Sequence, residues 1–206
     1  MTSMKADRLI LLAGAVLAIV ALAATAWILI VKLTEEETLG GPGLVIMPAS
    51  LGGPFELTDH KGEPATEAIF AGELTLVYFG YSFCPDICPL SLQTMADAMA
   101  ELGDEPGIKG AFITIDPDRD HVEHLAGYVP LFHEQLIGLT GPIAAIEPVA
   151  RAFRVYFKYR KDVDPEAYPV DHSSYIYLMD QNWRLLAVFR HDATAAEMKA
   201  AIREFL

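Results

Sequence analysis

Hydrophobic positions divide the 206-residue chain into one long apolar stretch near its start and a series of short apolar runs separated by turn residues. Residues 74–79 form an apolar run suited to a strand buried on both faces. Leu92, Met95, Met99 and Leu102 then recur at helical spacing with Gly103 as a stop, which predicts a helix over residues 90–102. Residues 111–115 and 136–139 read as further strands, and residues 122–132 and 146–157 as helices. Ahead of these, residues 55–62 read as a strand entering a turn. Residues 174–179 and 185–189 flank Asp180, Gln181 and Asn182, a hairpin signature, and residues 195–205 close the chain as a helix. The order β-α-β-α-β-α followed by β-β-α predicts an α/β fold with a mostly parallel central sheet flanked by helices and an antiparallel edge hairpin.

The long apolar stretch, residues 9–31, carries no charge, and its 23 residues suffice to cross a bilayer core. Lys5 and Arg8 precede it, whereas Lys32 is followed by Glu35, Glu36 and Glu37, so the flanking charges place the short N-terminus in the cytoplasm and the rest outside. Ala24-Thr25-Ala26 resembles a signal-peptidase site, but the apolar run continues through Val31, which favours a retained anchor. The chain then divides into a cytoplasmic N-terminus (1–8), an anchor (9–31), a tether rich in Gly and Pro towards its end (32–53) and one domain (54–206). Fifteen Lys and Arg against 28 Asp and Glu leave a formal charge of -13, which repels phosphate and argues against nucleic-acid binding. Arg151, Arg154, Lys158 and Lys161 fall near one face of the helix predicted at 146–157 and its continuation. They read as a solvated row or as a docking patch for an acidic partner.

The only two cysteines, Cys84 and Cys88, are bracketed by Pro85 and Pro89 between the apolar strand at 74–79 and the helix at 90–102. A thiol at such a strand-to-helix turn lies near the positive end of a helix dipole, loses its proton readily and serves as nucleophile or soft-metal ligand. In open sheets of this order, ligands gather outside the carboxyl ends of the strands. Two thiols alone leave redox and metal chemistry both open. His172, just ahead of the strand predicted at 174–179, is the histidine whose placement brings it towards them, because that strand is expected beside residues 74–79. His121 and His124 share a helix start and read as solvated or as a metal pair, while His60, His133 and His191 read as turn or surface residues. Asp86 reads as a helix-start residue, and Asp116, Asp118 and Asp120 as a rim segment with a capping or docking role.

The runs Phe79-Gly80-Tyr81-Ser82-Phe83-Cys84-Pro85-Asp86-Ile87-Cys88-Pro89, Thr114-Ile115-Asp116-Pro117-Asp118-Arg119-Asp120 and Asp171-His172-Ser173 resemble, in order and spacing, the Sco/SenC family. The resemblance extends from about residue 54 to the C-terminus. It implies a membrane-tethered, thioredoxin-like domain that binds copper and helps to assemble the copper centre of cytochrome c oxidase. It further implies that Cys84, Cys88 and His172 are the copper ligands. Phe189-Arg190-His191 departs from the aromatic-plus-glycine ending expected there, outside the ligand set. Two thiolates and an imidazole suit soft Cu(I) and are compatible with Cu(II); Zn(II) can use the same groups. Cys84 and Cys88 are also the redox pair that would act in an oxidoreductase, and their oxidation to a disulfide would eject the metal. Asp171 is placed to fix the tautomer of His172.

These expectations describe a metallochaperone without substrate turnover that delivers copper to the CuA site. The alternative is a thiol-disulfide oxidoreductase that reduces the acceptor's cysteines, and a peroxidase has no evident peroxide-orienting residues here. The expected partners are the copper-receiving subunit of cytochrome c oxidase, other periplasmic copper carriers or thiol reductants, and the membrane through the N-terminal helix. No Arg- and Ser-rich presequence precedes residue 9, so the expected location is a bacterial inner membrane, single-pass, with the domain in the periplasm.

Overall fold

The computed structural model describes residues 18, 20–27, 44–45, 51–103 and 107–206. The chain separates into two compact units, residues 1–39 and 40–206. In the first, residues 18 and 20–27 are helical and exposed, and the rest of the predicted anchor lies outside the described residues. Among the described residues, no helix is long and apolar enough to cross a membrane. Most of the predicted tether likewise lies outside them. Its last residues are part of the packed domain: Leu51 is buried, Gly52 N–H donates to the Ala152 carbonyl at 3.0 Å, and Trp183 Nε1–H donates to the Gly53 carbonyl at 3.0 Å.

The second unit contains strands β1 (Leu44–Val45), β2 (Leu57–Asp59), β3 (Pro64–Ala65) and β4 (Leu74–Gly80), then helix α1 (Ile87–Leu102) and β5 (Ile108–Thr114). Helix α2 (Val122–Tyr128), β6 (Leu136–Thr140) and α3 (Ile143–Ala152) follow, then β7 (Phe157–Tyr159), β8 (Val170–His172), β9 (Tyr175–Met179), β10 (Leu185–Arg190) and α4 (Ala195–Arg203). Among the described residues the main sheet runs β1-β10-β9-β4-β5-β6-β2-β3. Every residue of β4 is buried, as its apolar run requires of a central strand. Leu92, Met95 and Met99 of α1 are almost wholly buried against the sheet, each such side chain contributing about 1.5–3 kcal/mol. Gly103 ends α1 with φ 70, a left-handed turn that a side chain would strain.

Three features differ from the sequence-based expectations. The sheet is mixed rather than mostly parallel: only β4-β5 and β5-β6 pair parallel, while β9, β10 and β1 on one flank and β2 and β3 on the other pair antiparallel. The β9–β10 hairpin is therefore not at an edge. It sits beside β4, with Val77 opposite Tyr177, and β1 lies beyond it. Helix α3 stops at Ala152 because Arg154 turns the chain with φ 54 and Val155 N–H returns to the Ala150 carbonyl at 2.8 Å. The basic row consequently has no common helix face: Arg151 is in α3, Arg154 in the turn, Lys158 in β7 and Lys161 beyond it. Finally, β7 and β8 form a separate two-stranded sheet that periodicity did not reveal.

Candidate metal centre

Strand β4 ends at Gly80, and the loop from Tyr81 to Asp86 leads directly into α1. Cys84 lies half-buried on this loop, whereas Cys88 is fully buried in the first turn of the helix. Pro89 sits in that first turn, where the missing N–H costs no intrahelical bond. Asp86 occupies the N-cap position, but its side chain makes no capping hydrogen bond. Gly80 allows the close approach of strand end and helix: a Cβ there would stand 2.8 Å from the Tyr78 ring and 3.0 Å from Cys88 Sγ.

His172 reaches the site from β8, a strand of the small sheet, and not from a loop. Phe157 is its partner in β7. Its Nε2 lies 3.4 Å from Cys88 Sγ, and its Nδ1 lies 2.9 Å from the Ser173 carbonyl. A carbonyl only accepts, so Nδ1 carries the proton and Nε2 turns its lone pair towards the sulfur. The rings of Tyr78 and Tyr81 meet the imidazole edge-on, with centroids 6.4 and 5.9 Å away. Asp171 does not orient His172; its carboxylate pairs with Arg160 at 3.1 Å on the surface.

A sulfur and a nitrogen that share one metal at ordinary thiolate and imidazole bond lengths stand about 3.5 Å apart. The Cys88–His172 separation of 3.4 Å meets that requirement, and the soft donors suit copper. Among the described residues, no group of three His, Cys, Asp or Glu side chains stands ready to hold a metal ion.

The two thiols are electrostatically unequal. The Cys84 thiol is brought down to about 3, chiefly by a hydrogen bond from Cys88, with further help from the N–H groups of Asp86 and Cys88, against the opposing effect of burial. Cys88 is pushed well up, because it holds its proton against the Cys84 sulfur and is buried. Cys84 is thus the more acidic of the two thiols, and Cys88 the one that holds its proton. Iodoacetamide should label Cys84 of the reduced protein at a rate almost independent of pH between about 5 and 8, with Cys88 labelled far more slowly. A rate rising about tenfold per pH unit, as for an ordinary thiol, would contradict the depressed value.

Two buried carboxylates brace the site, which rules out the docking role considered for them. Asp116, with 0% exposure, binds Arg119 Nε and Nη2 at 2.5 Å and accepts from Tyr168 Oη at 2.8 Å. Arg119 also donates to the Tyr168 carbonyl at 2.9 Å, with its guanidinium 3.8 Å from that ring's centroid. Tyr81 Oη accepts from Val170 N–H at 3.3 Å, which ties the cysteine loop to β8. Asp120 is buried too; burial raises its pKa, opposed by donors from Ser82 and Thr114. Tyr168 carried no sequence signal of its role; Arg119, Tyr81 and Ser82 lie in the runs shared with the Sco/SenC family, which mark the segments without revealing these contacts.

The remaining histidines are divided. His60 Nδ1 accepts from Gly138 N–H at 3.1 Å, and His133 Nδ1 from Gln135 N–H at 3.1 Å. His121 caps α2 through Nδ1, and His124 is not simply solvated, since it packs against Phe83 and Tyr128. His191 lines an open cleft of about 640 Å³ together with Ile87, His172 and Arg190.

The fold and site define a thioredoxin-like protein whose dithiol faces an imidazole at the carboxyl end of its parallel strands. The chain belongs to the SCO1/SenC family, whose model matches residues 46–206. Among its relatives, Protein sco1 of Schizosaccharomyces pombe is 39% identical over 159 residues, 75% of this chain and 60% of that protein. This chain therefore spans about three fifths of that relative's length. Two similar solved structures carry copper. Arabidopsis thaliana ScoI is 35% identical with a TM-score of 0.70, covering 75% of this chain and 99% of that one. Bradyrhizobium japonicum ScoI is 36% identical with a TM-score of 0.70, covering 76% and 99%.

Proposed function

We propose that this protein is a copper metallochaperone in which Cys84, Cys88 and His172 hold the metal and pass it to the CuA site of cytochrome c oxidase during assembly. The observation that carries the reading is the 3.4 Å approach of His172 Nε2 to Cys88 Sγ beside the Cys84 thiolate. The copper-bound relatives support the choice of metal. Copper is cargo here, as Cu(I) or Cu(II): the thiolate and imidazole bind it, while the exposed loop that bears Cys84 gives an acceptor a route to it. No substrate turnover is required. In the reduced state the protein should bind one copper; oxidation to the Cys84–Cys88 disulfide should abolish binding, and a reductant should restore it. Retention of a full copper equivalent by protein shown by mass to be disulfide-bonded would overturn this reading.

A second role, as a thiol-disulfide oxidoreductase that reduces the acceptor's cysteines, is supported by the unequal thiols. A depressed nucleophile beside a protonated partner is the arrangement that thiol exchange uses. Other periplasmic copper carriers or thiol reductants would then be partners as well. We further propose that residues 9–31 anchor the chain in a bacterial inner membrane, with residues 1–8 in the cytoplasm, a tether that ends before the strand at Leu44–Val45, and the domain in the periplasm. The charges on either side of the apolar stretch support this orientation. A reporter that works only in the cytoplasm, fused after Leu206, should be inactive; an active fusion would reverse the topology.

A further inference from the structure

We propose that His124 is a positioning residue for Cys84, acting through the hydroxyl of Ser82; the inference rests on the copper-binding reading of the dithiol site. Ser82 and Phe83 are the two residues that lead into Cys84. Both are held by the segment from Arg119 to His124. Ser82 N–H donates to Asp120 Oδ2 at 3.0 Å, and Ser82 Oγ bonds to Asp120 Oδ1. The same Oγ lies 2.8 Å from His124 Nε2. Phe83 stacks on the His124 ring at 5.0 Å and 18°, with the Arg119 guanidinium 5.0 Å from its centroid. His124 in turn stacks on Tyr128 at 6.3 Å, and its backbone N–H is fixed by His121 Nδ1 at 3.2 Å.

The direction of this chain follows from counting protons. Thr114 Oγ1 accepts from Asp116 N–H at 3.0 Å and so donates its single proton to Asp120 Oδ2 at 2.7 Å. Asp120 Oδ2 already receives Ser82 N–H, and as a carboxylate Asp120 can only accept. The one hydroxyl proton of Ser82 therefore goes to Asp120 Oδ1, and Ser82 Oγ is left to accept from His124 Nε2–H. The sequence His124 to Ser82 to Asp120 joins the first turn of α2 to the buried carboxylate and leaves the Ser82 N–H and hydroxyl both engaged. Cys84, the half-exposed donor that must close on Cys88 and His172, thus projects from a loop secured at both residues ahead of it.

The test compares the full-length chain with its variants by anaerobic copper competition titration, by the spectrum of the copper-loaded protein and by thermal unfolding. Outer residues that orient a metal's ligands typically carry about 10–100-fold in affinity. His124→Ala and Ser82→Ala should each weaken copper binding about tenfold and alter the copper–thiolate absorption, with little change in unfolding temperature. The double variant should be no worse than either single one, because both interrupt one path. Ser82→Thr, which keeps the hydroxyl, and His124→Gln, which keeps a side-chain N–H, should recover most of the affinity. His133→Ala, which removes a histidine distant in sequence, should bind as the parent does. Wild-type affinity and spectrum in both alanine variants, with binding lost in His172→Ala, would overturn the role of His124 and leave the copper site standing. Undiminished binding in Cys84→Ser, Cys88→Ser and His172→Ala would instead overturn the copper reading on which the inference rests. Equal losses in the conservative and alanine variants would also overturn the hydrogen-bonded route.

Discussion

His172→Ala should lower copper affinity by at least about 100-fold, beyond the usual effect of residues one step removed from a metal. Cys84→Ser and Cys88→Ser should do the same, since a hydroxyl is a poor donor for a soft metal. The losses arise differently. Cys88 and His172 are in contact at 3.4 Å, so removing either takes away half of a formed pair. Cys84 is the more acidic thiol, so its loss also removes the group that most readily supplies negative charge for a cation. Asp171→Ala separates this account from one that gives the neighbouring carboxylate a role: it should leave affinity unchanged, because Asp171 faces Arg160 while Ser173 orients the imidazole. Anaerobic competition titration checks all four variants. Parental affinity in His172→Ala would remove that residue from the ligand set.

The largest loss of stability is expected from Arg119→Ala. The Asp116–Arg119 pair is buried, with side-chain exposures of 0% and 16%, and removing one member strands the other charge at a cost of about 3–5 kcal/mol. Arg119 also carries the Tyr168 carbonyl and stacks on the Tyr168 ring, so the β7–β8 hairpin loosens with it. That hairpin bears His172, and copper affinity should fall together with stability. Replacing both charged residues by apolar ones of similar volume should cost less than the single change, because no unpaired charge remains. Chemical denaturation of the reduced protein measures each case. A loss below about 1 kcal/mol for Arg119→Ala would place the pair among weak surface bridges instead.

These two predictions concern residues of very different visibility. Cys84 and Cys88 stand out in the chain because they are its only cysteines and are framed by prolines at a strand-to-helix junction. Arg119 is marked only as part of the run at residues 114–120 and Tyr168 not at all, since the contact between them joins segments far apart in sequence. The strand at β4 was legible because burial on both faces makes it a continuous apolar run, and the helix at α1 because burial of one face imposes a period of 3.6 residues. Strands β7 and β8 were not. Each has three residues with little burial, and the hairpin is held by tertiary bonds such as Tyr159 Oη to the Ile115 carbonyl at 2.7 Å. Periodicity also cannot assign strand direction, which is why a sheet expected to be mostly parallel proved mixed.

The amino-acid sequence alone determined the order of the main elements, the buried central strand, the thiol pair at its carboxyl end and the Sco/SenC character of residues from about 54 onward. Each of these is written in spacing and composition over a short window. Only the tertiary structure decided that the imidazole arrives on a strand of its own, that Ser173 rather than Asp171 orients it, and that Asp116 and Asp120 are buried braces. The physical reason is that such roles depend on which distant groups meet, and on how much water their meeting excludes.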